Sequence, residues 1–432
     1  MPDSNATQGW TDTADAPAAP DAGVRRARVT AARTAVAVVF IANGFGFASW
    51  VSRLPAIRDH LHLAPGQLGL VLLFASCGSL SGLPLAGTVV QRLGPARGVA
   101  LGAIPSLVAL ALVGLADNVA LLAVALYVMG LGIGVWDVSM NVEAADVERR
   151  LGRVIMPRFH AGFSLGTVLG AGVGAGAAGL GVPVAVHLAV VGIAALGTIL
   201  LACRWFLPVV RAQHEEPGSA AKRGSRHAWR EPRTLVIGLL VLGMALAEGA
   251  ANDWVTVGFV DGYHLGHAAA AAGFGVFVST MTIGRMAGAW LLERFGRVRA
   301  LRIEVALVLV GLAGFVGGEV LARTSVPAGI VLGLAGVAVW GAGAALGFPV
   351  GMSAASDDPA NAAARVSVVA TIGYSAFLAG PPLLGLLGDQ VGVVRSMVGV
   401  GLAAVLAFFA AGAARPPVEQ RTDEADVSSV TA

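Results

Sequence analysis

Twelve apolar runs, each long enough to cross a bilayer, leave this chain few ways to fold. A hydrocarbon core of roughly 30 Å takes about 20 apolar residues of helix. The runs are placed at 32–53, 66–90, 98–116, 119–143, 158–180, 184–207, 234–257, 268–292, 301–322, 328–350, 366–388 and 394–414. Composition agrees: 56% of the 432 residues are hydrophobic and only 13% charged, where soluble domains are about a quarter charged. The 59 glycines suit helices that pack closely in a membrane. Residues 1–31 and 415–432 are read as polar, disordered tails, and 208–233 as the one long connecting loop. The arginine cluster at 25–28 follows a long polar stretch, which is not the order of a signal peptide.

Positive charge orients the spans. Counting from the first run, the connections on one face carry only Arg53, Arg58, Arg323 and Arg395. The other face holds nearly all the remaining arginines, in groups from Arg25 to Arg33, Arg149 to Arg158, Arg204 to Arg233 and Arg294 to Arg302. That arginine-rich face, with both termini and the 208–233 loop, is expected to be cytoplasmic, so the chain is expected to be a multi-pass protein of the cytoplasmic (inner) membrane. The same dispersal over short loops argues against a nucleic-acid surface despite a pI near 9.3.

The chain also repeats itself. Trp50 and Trp254 lie 204 residues apart, as do Trp136 and Trp340, and His60-Leu61 and His264-Leu265. The loop "QRLGPAR" (91–97) returns as "ERFGRVR" (293–299) at an offset of 202. Two six-helix halves in the same orientation follow, at 32–207 and 234–414.

The stretch "GTVVQRLGPAR" (87–97) resembles the signature of the major facilitator superfamily between its second and third helices. Gly87, Arg92 and Gly94 match, while Gln91 replaces the usual aspartate and Pro95 a basic residue. The second copy keeps the acid as Glu293, followed by Arg294, Gly296 and Arg297, with Ala289 at the first glycine. Four blocks are similar to the MosC-like branch, a relative of fucose permease: "NGFGFASWVSRLPAIRDHL" (43–61), "GLGIGVWDVSMN" (130–141), "RFHAGFSLG" (158–166) and "EGAANDW" (248–254). The resemblance spans about residues 32–414. It implies an all-α membrane protein of two pseudo-symmetric six-helix bundles with a solute site at their interface, and a central cavity lined by the first, fourth, seventh and tenth helices. Each of those carries a tryptophan: Trp50, Trp136, Trp254 and Trp340.

Within that frame the intramembrane acids stand out, since an ionisable group in a spanning helix costs at least about 2.5–3.5 kcal/mol and persists where it faces protein or water. Asp137 lies about 27 Å along the fourth span at 1.5 Å per residue, with Asn141 four residues on and on the same face. The resemblance to fucose permease, which has a glutamate in a similar block, implies that Asp137 is a proton-coupling carboxylate. The structural alternative is a lock with an arginine, Arg285 above all. Glu248, about 21 Å into the seventh span, is the second coupling candidate, with Asn252 on its face and Asp253 near the outer end. Asn43 is the strongly polar residue at mid-depth in the first span. With the four tryptophans and Tyr374, whose rings suit a sugar C–H face or a cation, Asn43, Asn141 and Asn252 form the candidate solute set. Gln91, Arg92, Gly94, Glu293, Arg294 and Gly296, together with Arg285, form the candidate gate. Arg285 is expected to pair with Glu293, Glu304 or an acid at the end of the fourth span (Glu143, Asp146 or Glu148). His187 and Glu319 are read as solvated near the outer face.

These features point to secondary transport of a small polar solute, a sugar, polyol or amino-sugar-like compound, coupled to protons by symport, by a chain working as a monomer in the lipid bilayer. Export by proton antiport, of a similar compound or a drug, is the alternative; the glycine-rich fifth span lacks the proline of drug antiporters. A non-transporting sensor would need an output module that 208–233 is too short to supply. No Ser-His-Asp, HExxH or nucleotide-binding signature is present, and Lys222, the single lysine, lies in no Walker A motif, so neither an enzyme nor ATP-driven transport is expected. Cys77 and Cys203 sit in apolar runs as expected free thiols, and no metal or cofactor is called for.

Overall fold

The computed structural model describes residues 22–153, 155–208, 228–358 and 361–416, and the regular structure among them is helical throughout. In chain order the long helices are α1 (Ala22–Val51), α2 (Pro65–Leu93), α3 (Pro95–Leu115), α4 (Val119–Leu151), α5 (Met156–Gly179), α6 (Val184–Ala202) and α7 (Pro232–Asp261). The stretch His267–Ala322 follows, then α10 (Val326–Gly343, continued as Gly347–Ala355), α11 (Ala362–Val391) and α12 (Val398–Ala410). A short helix, Leu54–His60, lies between α1 and α2. Prolines in the first turn open α2, α3, α5, α7 and α10, where the missing N–H has no intrahelical partner to lose. Asn118 caps α4, its side chain accepting from Leu121 N–H at 2.8 Å.

Eleven helical stretches among the described residues are long and apolar enough to cross a membrane. One of them, His267–Ala322, runs 56 residues and breaks at Gly296, whose φ of 70° and ψ of 162° lie outside the helical region. It therefore makes two passes, α8 (267–295) and α9 (297–322), and the expected twelve are present. Gly94 makes the same turn between α2 and α3, at φ 84° and ψ 164°. The motif glycines are thus required by a left-handed backbone that a side chain would strain. His62 (φ 52°) and His264 (φ 57°) form a second matched pair, in the α1–α2 and α7–α8 connections. His264 is therefore the counterpart of His62 and not of His60. Trp50 sits one residue before the end of α1, whereas Trp254 lies seven before the end of α7, so those two are at different heights in their helices. Trp136 and Trp340 do correspond: a methyl on Gly102 would strike Trp136 N and Gly132 O, and one on Gly311 would strike Trp340 N and Gly336 O.

Two further departures concern boundaries. Residues 22–31, expected in the tail, are the first turns of α1, where Thr30 Oγ1 donates to Arg26 O at 3.0 Å. Hydropathy ends a span where the apolar face ends, but backbone hydrogen bonding carries the helix on into water. Likewise α10 is interrupted at 344–346, inside a run whose hydropathy is continuous. Residues 1–21, 209–227 and 417–432 lie outside the described residues, with most of the two tails and the connecting loop.

Each half packs around close helix pairs, notably α1 with α5, α2 with α4 and α3 with α4 in the first. In the α1–α5 pair, methyls on Gly166 and Gly170 would meet the carbonyls of Ile41 and Phe45, whereas Gly172 and Gly176 face open space. With Gly174, whose methyl would strike the Ser52 side chain, three of the five glycines from 166 to 176 form a packing seam of the small-residue kind. The halves meet through α2 against α11 and α5 against α8. Large exposed apolar side chains such as Ile193, Met286, Phe409 and Trp290 form the outer surface, as a lipid-facing belt requires.

Candidate functional site

Between the halves lies a cavity of about 320 Å³, walled by α1, α2 and α4 on one side and by α7 and α11 on the other. Its polar groups are Ser76, Ser79, Asp137, Asn252, Asp253 and Tyr374, and its aromatic ones include Phe47, Trp50 and Phe377. No lysine, arginine or histidine is among the described lining residues, and none comes from α10, the expected fourth wall.

Asp137 is open to this cavity. Asn141 lies one turn on, its Nδ2 donating to Asp137 O at 2.9 Å and reaching Oδ1 at 3.4 Å, so the i, i+4 pairing read from the sequence is formed. No basic side chain among the described residues lies within ion-pairing distance of the Asp137 carboxylate. The lock with Arg285 is not made.

Arg285 instead donates to Glu248 Oε1 at 2.9 Å. It also reaches Ala345 O, in the break of α10, at 3.4 Å, and Ser164 Oγ of the opposite half at 3.3 Å. The partners expected for it are engaged elsewhere or exposed. Glu304 accepts from Leu346 N–H, Glu143 from Leu207 N–H and Glu148 from Ile155 and Met156 N–H, Asp146 pairs with Arg149 and Arg150, and Glu293 is exposed. The reason is depth. Measured from the arginine-rich face, Glu248 is about 24 Å up α7 and Arg285 about 16 Å up α8 at 1.5 Å per residue, a difference that an arginine side chain spans.

The tryptophans divide. Trp50 lines the cavity, but Trp136 and Trp340 are 2% and 0% exposed and packed inside their own bundles, Trp340 against Phe277 and Phe315. Consecutive residues point about 100° apart around a helix, so with Asp137 turned to the cavity Trp136 is turned away from it. Trp254 is also buried, near Pro65 and Gly385. Asn43, 7% exposed, contacts Met140 Sδ at 3.7 Å within the first bundle. These four are therefore corrected from cavity-lining to interior positions, and Asn141 reaches the site through Asp137. Asp253 and Asn252 do line the cavity, as does Tyr374.

Comparison with known proteins accounts for this arrangement. Residues 36–381 match the family model of the Major Facilitator Superfamily. The chain belongs to the major facilitator superfamily. It is 32% identical to an uncharacterized transporter, y4wD, of Sinorhizobium fredii over 86% of this chain and 95% of that one. Membrane protein MosC of Rhizobium meliloti is 26% identical over 87% of this chain and 89% of its own, in keeping with the MosC-like blocks. In fold it is similar to the crystal structure of the nucleoside transporter NupG, with a TM-score of 0.71 at 14% identity, over 89% of this chain and 100% of that one.

The two halves of this major facilitator fold are latched at the arginine-poor face, by contacts the sequence reading missed. Arg58 donates to both Asp261 carboxylate oxygens, at 2.7 Å for the Nη2 bond, and also holds Asp59 at 2.8 Å. His267 Nε2 lies 2.9 Å from Asp59 Oδ2, and Gly66 N–H donates to Asp389 at 2.9 Å. Burial alone would raise the Asp59 carboxyl, but Arg58 and His267 hold it below the usual carboxylate range. The available signal was scarcity: arginines are few on this face, and each is engaged, Arg53 by Val182 O and both Arg323 and Arg395 by Glu319. Glu319 is thus paired, and His187 is buried, not solvated. Toward the arginine-rich face no ion pair joins the halves among the described residues, and their side-chain contact on that side is the 3.3 Å hydrogen bond from Arg285 to Ser164, about 16 Å in from the face. Gln91, Arg92, Glu293 and Arg294 stand exposed there, while Arg297 and Arg233 both hold Asp357 within the second half.

Proposed function

We propose that this chain is a proton-coupled secondary transporter that carries a small polar solute across the cytoplasmic membrane by alternating access, acting as a monomer with its termini and arginine-rich face in the cytoplasm. The observation that carries this reading is Asp137, a carboxylate open to the central cavity with no basic partner among the described residues. Closing the cavity over that charge costs at least about 2.5–3.5 kcal/mol, and a proton removes the cost. Glu248 already has Arg285 to balance it and is the secondary coupling site. A latch on one face and none on the other is what a state open to the cytoplasm requires. Arg92 and Arg294, at their glycine turns, are then free to bridge the halves in the opposite state. Serine, asparagine and tyrosine groups beside Trp50 suit a hydroxylated solute such as a sugar, polyol or amino-sugar-like compound. Symport is the leading mode; exchange against protons is the second, favoured by Asp253, another cavity acid that forms no ion pair among the described residues.

Proteoliposomes with an imposed proton gradient test this. Asp137→Asn keeps the shape and removes the charge, so it should fold normally, bind solute and lose gradient-driven accumulation. A well-folded variant with undiminished accumulation sinks the coupling role of Asp137.

A further inference from the structure

The two halves end in equivalent corners that are closed differently. In the second half the turn Ala411–Ala414, after α12, packs against α7. Arg233, at the start of α7, fills that corner: it donates to Ala413 O and Arg415 O, each at 3.1 Å, and to Asp357 at 2.7 Å. In the first half the turn Cys203–Trp205, after α6, packs against α1 in the same way. At the offset of 202 that relates Gly94 to Gly296 and His62 to His264, the counterpart of Arg233 is Ala31. A methyl group takes the place of a guanidinium, and the corner is left as a pocket of about 280 Å³.

Arg28 and Ala31, one turn apart on α1, form one wall of this pocket, and Arg204, Trp205 and Pro208 form the other. No acid is among its described lining, and neither arginine has an ion-pair partner among the described residues. Glu143, which reaches this turn from α4, is committed to Leu207 N–H at 2.6 Å. Leu200 and Leu201, exposed in the last turn of α6, belong to the lipid-facing belt, and Trp205 just beyond them is half-exposed. Tryptophans concentrate at the membrane–water boundary, so the pocket opens at the level of the lipid headgroups.

We propose that this corner is a binding site for an anionic phospholipid, whose phosphate is held by Arg28 and Arg204 while its chains run along Leu200 and Leu201. Guanidinium groups pair with phosphate oxygens through charge-assisted hydrogen bonds, and basic pockets between spanning helices take such headgroups. The lipid supplies the acceptors that Ala413, Arg415 and Asp357 supply to Arg233 in the second half, and so ties α1 to the end of α6. A soluble phosphate would satisfy the arginines but leave Trp205 and the two leucines uncovered, which favours the lipid.

Native mass spectrometry of the purified full-length chain, titrated with phosphatidylglycerol or phosphatidylcholine, tests this. Phosphatidylglycerol should stay bound at concentrations where phosphatidylcholine is lost. Replacing both arginines, Arg28→Gln with Arg204→Gln, should weaken its retention roughly tenfold or more. Arg153→Gln, at an exposed arginine of the same face, should leave it unchanged. Ala31→Leu fills the pocket at constant charge and should weaken retention as well, whereas a response to the surface field alone would be insensitive to it. If the double variant does not fold, Ala31→Leu and the single Arg204→Gln decide. Equal retention of the two lipids, full retention by Ala31→Leu, or an equal loss in Arg153→Gln overturns the proposal. Displacement of the lipid by inorganic phosphate or glycerol phosphate at matching concentrations would also overturn it and assign the pocket to a soluble phosphate.

Discussion

Arg58, in the short helix after α1, and Asp261, the last residue of α7, join the two halves through a two-point ion pair, with the arginine side chain only 10% exposed. Asp59, the next residue, extends the contact to His267 at the start of α8. Four residues from two short connections thus hold one end of the cavity shut, while the other end has no equivalent among the described residues.

Arg58→Ala should release this latch. Hydrogen bonds to charged groups contribute about 1.5–3 kcal/mol, so the closed-to-open ratio at this face should fall roughly tenfold or more. Paired spin labels across the α1–α2 and α7–α8 connections would read the distance. An unchanged distribution counts against the latch.

The same labels give a pH test. Asp59 is held below its ordinary value in the closed state by Arg58 and His267, against the effect of burial. A carboxyl lowered in this way favours the closed state fully above its ordinary pKa of about 3.9, and that contribution is lost as pH falls through the lowered value. Opening should therefore begin only below about pH 4, and Asp59→Asn should abolish that acid-induced part. Opening centred at neutral pH would assign the response to another group.

Glu248→Gln leaves Arg285 in the bundle with Ala345 O and Ser164 Oγ but no counter-charge. Removing one partner of a buried pair costs roughly 3–5 kcal/mol, and the lower end applies because the Arg285 side chain is 29% exposed. The expected result is a clear drop in melting temperature, partly recovered in the Glu248→Gln, Arg285→Met double variant. Full stability in the single variant would show that the pair is not structural.

Two substitutions compare core with seam. Trp340→Ala should destabilise by about 3–5 kcal/mol as a large core deletion, with little effect on solute affinity once the protein is folded, because Trp340 is fully buried between Phe277 and Phe315. Gly166→Ala should also destabilise, since its methyl would strike the Ile41 carbonyl, while Gly172→Ala, facing open space, should be silent. Melting curves of the three variants check both statements.

The sequence by itself determined the twelve passes, the parallel halves and the paired glycine turns, because each rests on a local quantity: apolar length, repeat offset, or a left-handed backbone that only a glycine adopts without strain. It also picked out Asp137 and its Asn141 neighbour, one helical turn apart, and Glu248 and Asp253 of the seventh helix, though not Asp261 at its end. Which way a side chain turns was decided by the tertiary structure. Trp136 and Asp137 are adjacent in the chain, yet one fills the bundle and the other faces the cavity, because the glycine-lined seam between α3 and α4 fixes the rotation of the helix. Arg285 found Glu248, not the acids nearer the arginine-rich face, because two antiparallel helices set their relative depth. The latch of Arg58, Asp59, Asp261 and His267 left no periodic signal, since it joins residues some 200 positions apart whose meeting depends on how one whole bundle leans on the other.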